Sequence, residues 1–175
     1  KPEAARSADT PAVDIYGEEG AVRADFLGGI EDALEAGDRI ALSGAIGDLH
    51  QSEVGDVLEA LSPEQRGRLV AMMGAEFDFS ALTEVDDAIR QEIVDNRPNE
   101  QSAQAVQELD SDDAVYILAD LDAGDQEEIL ERLPFTERVR LRRSLDYPEE
   151  SAGRRMQTEF VAVPPFWTVG QTIDY

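Results

Sequence analysis

Counted from Leu49 in steps of twelve, the chain reads Leu49, Leu61, Met73, Val85, Arg97, Leu109, Leu121, Leu133 and Leu145, eight apolar residues and one arginine in a single register. The positions four and three residues before each anchor keep the same beat: Ala45 and Ile46, Val57 and Leu58, Leu69 and Val70, Ala81 and Leu82, Ile93 and Val94, Ala105 and Val106, Ile117 and Leu118, Ile129 and Leu130. Only Leu141 and Arg142 break the pair. The residue after each anchor is a helix breaker or cap (Ser62, Gly74, Asp86, Pro98, Asp110, Asp122, Pro134, Asp146), with His50 the exception. Each unit therefore reads as one short helix and one turn.

Apolar residues at i, i+1 and i+4 form one narrow stripe on a helix whose other faces are polar. A helix of two or three turns is marginal in water, so each copy must bury its stripe against other copies. Stacked copies make a solenoid stabilised by intrinsic and nearest-neighbour contributions. The expected fold is all-α, a right-handed superhelical solenoid of about ten short helices on the 12-residue repeat. Leu58, Leu61, Leu69, Val70, Leu118, Leu121, Ile129 and Leu130 form the expected core, and Arg97 sits at the solvent edge of its turn. The caps are legible too. Ser62-Pro63-Glu64-Gln65 sets a capping serine before proline at the first helical position, with glutamine where a capping box needs it. Asp110-Ser111-Asp112-Asp113 loads acid into a first turn, where the helix dipole favours negative charge.

Thirty-nine acidic and 15 basic residues give a formal charge of −24, which argues against nucleic acid or an anionic membrane surface as a partner and favours cations. The absence of cysteine excludes a disulfide scaffold and a thiolate metal site. No window approaches the roughly 20 apolar residues of a membrane helix. His50 is the only histidine and falls at a turn, where it reads as a capping or surface residue. Ser43, Ser52, Ser80 and Ser102 read as members of polar helix faces, outside any nucleophile elbow, and the glycines match no phosphate-cradling spacing. Phe77, Phe79 and Tyr116 read as packing residues. Nothing in these patterns points to an enzyme.

Three segments are expected. Residues 1–20 are poor in apolar side chains and read as a flexible tail. Residues 21–147 hold the helical repeat, whose first helix should run from Ala21 to Glu35 and end at Gly37. Residues 148–175 read as a linker and the start of a second module. There Thr158 to Val163 has strand composition, Pro164, Pro165 and Phe166 turn the chain, and Thr168 caps an amphipathic run from Val169 to Tyr175. A strand and one helical turn without partners suggest a piece of something larger, with Phe166 and Trp167 covering the unfinished end.

Acidic clusters remain as candidate chemistry. Asp110, Asp112 and Asp113 share one turn, and Asp120, Asp122 and Asp125 bracket the next. Magnesium takes oxygen ligands, keeps several waters and needs only one or two carboxylates from any element, so such a site can be shared between modules.

Taken with Leu145-Asp146-Tyr147-Pro148-Glu149-Glu150-Ser151-Ala152-Gly153 and Met156-Gln157-Thr158-Glu159-Phe160-Val161-Ala162-Val163, the repeat from about Ala21 onward resembles the cytosolic N-terminal region of the MgtE magnesium transporter family, running into the truncated strand and helix that start a CBS (cystathionine beta-synthase-type) domain. Arg154 and Arg155 stand where that family usually has glycine and an apolar residue. The resemblance implies a magnesium-sensing regulator at the cytosolic face of the inner membrane. Its implied partners are its own CBS pair and transmembrane domain in a homodimer, drawn together by Mg2+ between acidic faces. It also implies that Asp112, with Asp110 and Asp113 beside it, contributes metal ligands. The family's second acid, four residues on, falls on Tyr116, and an earlier glutamate falls on Ser80. An alternative from another class is a helical-repeat interaction scaffold resembling the flagellar motor switch protein.

Overall fold

In the computed structural model, residues 15–17, 20–158, 160 and 162–173 are described, and they fall into two compact units, within Lys1–Asn96 and Arg97–Tyr175. The described residues of the first unit form α1 (Ala24–Ala36), α2 (Arg39–Ile46), α3 (Gln51–Ala60), α4 (Pro63–Met73), two 3-10 turns (Gly74–Glu76 and Phe79–Thr83) and α5 (Asp87–Asp95). Those of the second form α6 (Asn99–Val106), α7 (Ser111–Ala119), α8 (Ala123–Arg132), α9 (Phe135–Leu145), α10 (Ala152–Arg155) and α11 (Val169–Ile173). Within the first unit α1 packs on α2 and α4, α2 on α4, α4 on α5, and α3 on the second 3-10 turn. Within the second, α6 packs on α8, α7 on α9, α8 on α9, and α10 on both α7 and α9. In α2 with α4, α6 with α8 and α7 with α9, a helix finds a partner two copies along the chain.

Every residue of the expected core is buried, from Leu58, Leu69, Leu118 and Ile129 with no exposure to Leu121 with 8%. A second buried register accompanies it. Five residues after the anchors Leu49, Leu61, Val85, Arg97 and Leu109 stand Val54, Arg66, Arg90, Ser102 and Ala114, all buried. Arg90 and the half-buried Gln126, which stands in the same register, reach back to carbonyls near the end of a preceding helix, where intrahelical donors run out. Arg90 Nη1 donates to the Leu82 carbonyl at 3.0 Å, and Gln126 Nε2 to the Leu118 carbonyl at 2.7 Å, each eight residues back. Ser102, expected on a polar face, is thus buried. Arg97, expected at a solvent edge, is half-buried, and burial weakens its hold on its proton.

The caps follow the sequence. Ser62 Oγ accepts the Gln65 N–H at 3.4 Å while Gln65 Oε1 accepts the Ser62 N–H at 3.0 Å, with Pro63 at the first helical position. His50 caps α3 in the same reciprocal way, its Nδ1 accepting the Ser52 N–H at 3.3 Å and Glu53 Oε2 accepting the His50 N–H at 2.7 Å.

The copy between Met73 and Val85 departs from the α-helix the repeat predicts. Gly74 takes φ 58°, a region closed to most side chains, and breaks α4. Phe77 and Phe79 are then both buried, edge to face at 5.9 Å. Residues two apart point to different sides of an α-helix, so burying both in one place requires the extended backbone seen at Phe77 and Asp78. Ala81, Leu82 and Val85 stay buried, so the stripe survives the change of helix type. Tyr116, unlike the two phenylalanines, is exposed.

Residues 1–14, 18 and 19 of the expected tail lie outside the described residues. Ile15 has no exposure, its carbonyl accepts the Arg23 N–H at 2.8 Å, and Tyr16 bridges antiparallel to Val22. The Tyr16 hydroxyl donates to Asp56 Oδ2 at 2.5 Å, fastening this turn to α3. That bond, burial and the Asp56 charge together push the phenol up to about 12. The first helix begins at Ala24, three residues later than expected, and Gly37 ends it. The expected strand falls partly on Glu159 and Val161, outside the described residues, while Thr158, Phe160, Ala162 and Val163 form no strand pairing. Thr168 does cap α11, exchanging bonds with Gln171 in a capping box, and Phe166 is exposed.

Candidate acidic site at the start of α7

Asp110 is the last extended residue before α7, but its carboxylate makes no cap bond. Its Oδ2 instead accepts from Gln157 Nε2 at 3.3 Å. Ser111, buried, accepts the Thr158 backbone N–H on its Oγ at 2.8 Å. Asp112 and Asp113 are half-buried in the first helical turn. Asp112 Oδ1 is cut off from solvent and has no hydrogen-bond partner among the described residues. A buried carboxylate oxygen without a donor forfeits solvation that nothing replaces.

The next acidic group serves structure. Asp122 caps α8, accepting the Gly124 and Asp125 N–H groups at 2.8 and 3.0 Å, and these bonds, that of Asp125 foremost, hold its carboxyl below the usual range. Asp125 Oδ1 accepts from Asn99 at 3.0 Å. Ser80 sits in the second 3-10 turn, where its N–H and hydroxyl both donate to Asp78, at 3.0 and 2.6 Å.

Hard oxygen donors suit magnesium or calcium. Among the described residues, however, no three histidine, cysteine, aspartate or glutamate side chains converge as a metal site. Asp110, Asp112 and Asp113 do not form such a group between them.

The segment that reaches this turn is itself fixed. The Tyr147 ring lies against Gly153, where a Cβ would stand 2.9 Å from the ring carbons. Pro148 O accepts both the N–H and the hydroxyl of Ser151, at 2.9 and 2.7 Å, and Arg154 donates to the Leu145 carbonyl. The Tyr-Pro-Glu-Glu-Ser-Ala-Gly string thus has a geometric reason: tyrosine and glycine need each other. Sequence reading had no signal for the contact of Gln157 and Thr158 with α7, because the partners lie 47 residues apart.

The model of the MgtE intracellular N domain matches residues 49–150, more than half of the 175-residue chain. The chain belongs to this family. Two solved structures share the fold of this MgtE N domain. One is the soluble part of a magnesium transporter, 21% identical, with a TM-score of 0.68, covering 86% of this chain and 59% of that one. The other is the cytosolic domain of the Mg2+ channel MgtE in complex with ATP, 22% identical, with a TM-score of 0.74, covering 85% of this chain and 61% of that one. The chain spans about three fifths of each. No curated protein matches it. Among the described residues no helix is long and apolar enough to cross a membrane.

Proposed function

We propose that this MgtE N domain is the magnesium-sensing regulatory part of a homodimeric magnesium transporter, working at the cytosolic face of the cell membrane without catalysing a reaction. In this reading residues 148–175 lead into a CBS pair, and the acidic turn of α7 faces that pair. The observation that carries it is the buried Asp112 Oδ1, without a partner among the described residues, in a chain of this family. Such an oxygen gains from a hard cation more than a solvated carboxylate does, since its own solvation is already lost. Asp112 would hold the ion, with Asp110 or Asp113 beside it and the remaining ligands supplied by water and the facing module. Bound magnesium supplies positive charge between two acidic surfaces. The chain's own contribution is the repulsion that keeps those surfaces apart when the ion is scarce, set by its charge of −24. A state that binds the ion more tightly is populated as the ion rises, which couples ion level to domain association.

Limited proteolysis of the full-length protein, titrated with magnesium chloride, tests this. Magnesium should protect the N domain, and Asp112→Ala should raise the magnesium midpoint about tenfold. An unchanged midpoint would return the acidic turn to a role in stabilising the helix dipole.

A further inference from the structure

The chain leaves α10 and returns to the start of α7, where two adjacent residues make contacts that hold it. Gln157 Nε2 donates to Asp110 Oδ2 at 3.3 Å, and the Thr158 N–H donates to Ser111 Oγ at 2.8 Å. Ser111 is 4% exposed, so its hydroxyl has little access to water as a substitute donor. Behind these contacts α10 packs on α7 and α9, and the Tyr147–Gly153 contact and the Arg154 bond to Leu145 fix its approach. Asp112 follows Ser111 directly, so the residues that hold the returning chain and the candidate ligand share one helical turn.

We infer that Ser111 and Gln157 are positioning residues: they clasp the outgoing chain to the acidic turn of α7, so that the state of that turn and the path of the chain beyond Thr158 are coupled. The coupling half of this inference rests on the magnesium reading above; the clasp itself does not. The physical basis is preorganisation. Asp110 without a cap bond has a free rotamer unless Gln157 holds it, and a first turn anchored from outside presents Asp112 in one position. Linkage makes the effect reciprocal, so a clasp that favours the ion-binding arrangement is itself favoured by the ion.

NMR-detected exchange of the Thr158 amide tests the clasp without magnesium. Ser111→Ala should speed that exchange roughly fivefold, the loss of one hydrogen bond, and Ser111→Thr should retain protection. An unchanged rate in Ser111→Ala overturns the clasp. Proteolysis of the full-length protein against magnesium tests the coupling. Ser111→Ala should raise the midpoint about threefold, with Ser111→Thr restoring it. Gln157→Ala, on an exposed residue that no core depends on, should do the same. If Asp112→Ala moves the midpoint while Ser111→Ala and Gln157→Ala do not, the coupling is wrong and magnesium sensing stands. If none of the three moves it, both fall.

Discussion

Arg90 is the most demanding residue in the first unit, a guanidinium with 1% exposure in a short helix. Its Nη1 meets the Leu82 carbonyl at 3.0 Å, and its Nη2 pairs with Asp87, whose own side chain is 85% exposed. These two contacts differ in expected worth. The Asp87 pair has one partner in water and contributes no more than about 1 kcal/mol. The Leu82 carbonyl belongs to a residue with no exposure, and leaving it without a donor costs about 1–3 kcal/mol. Relief of guanidinium desolvation works against that loss when the replacement is apolar and of similar length. Arg90→Met keeps the stem and removes the donor, so a loss of about 1–3 kcal/mol is expected. Arg90→Ala also empties the space of the stem and should cost about 2–5 kcal/mol. Asp87→Asn should cost less than about 1 kcal/mol. Urea unfolding followed by circular dichroism, with the slope checked for constancy across the variants, measures all three. A neutral or stabilised Arg90→Met would mean that desolvation outweighs the carbonyl bond. An Asp87→Asn loss equal to that of Arg90→Met would assign the stability to the ion pair. Either result refutes the view that Arg90 works by satisfying a carbonyl at a helix end.

Gly153→Ala should cost about 1–3 kcal/mol, because its Cβ would meet the Tyr147 ring at 2.9 Å and force the ring or α10 to move. The cost should nearly vanish in a Tyr147→Ala background, and a double-mutant cycle with no coupling would contradict the contact. The Tyr16 phenol is raised from 10.0 to about 12 in the folded chain, so its bond to Asp56 stabilises fully below about pH 10 and fades as pH rises through about 12. The stability difference between wild type and Tyr16→Phe should shrink over that window; a constant difference would mean the bond contributes nothing.

Much of this fold was legible because its determinants are local. The 12-residue beat names Leu58, Leu61, Leu118 and Ile129 as core, and all are buried, since a two-turn helix has one way to hide such a stripe. Ser62 and His50 cap as their positions suggest, because a cap bonds a residue two or three places away. Asp112 and Asp113 fall in a first turn for the same reason.

The remainder was decided by what the folded chain brings together. Ser102 reads as a polar-face residue in the repeat, yet packing on a further side buries it, as it buries Arg66 and Arg90 in the same register. The copy around Phe77 and Phe79 gives up α-helix because two aromatic rings hide better from an extended turn than from one helical face. The acidic turn shows the contrast most clearly. Its composition is written in four consecutive residues. That Asp110 and Ser111 take Gln157 and Thr158 as partners depends on the chain returning from 47 residues away, and among the described residues Asp112 keeps a buried oxygen without a donor. Local spacing sets which groups a helix presents; only tertiary packing sets which of them keep their water and which must find another partner.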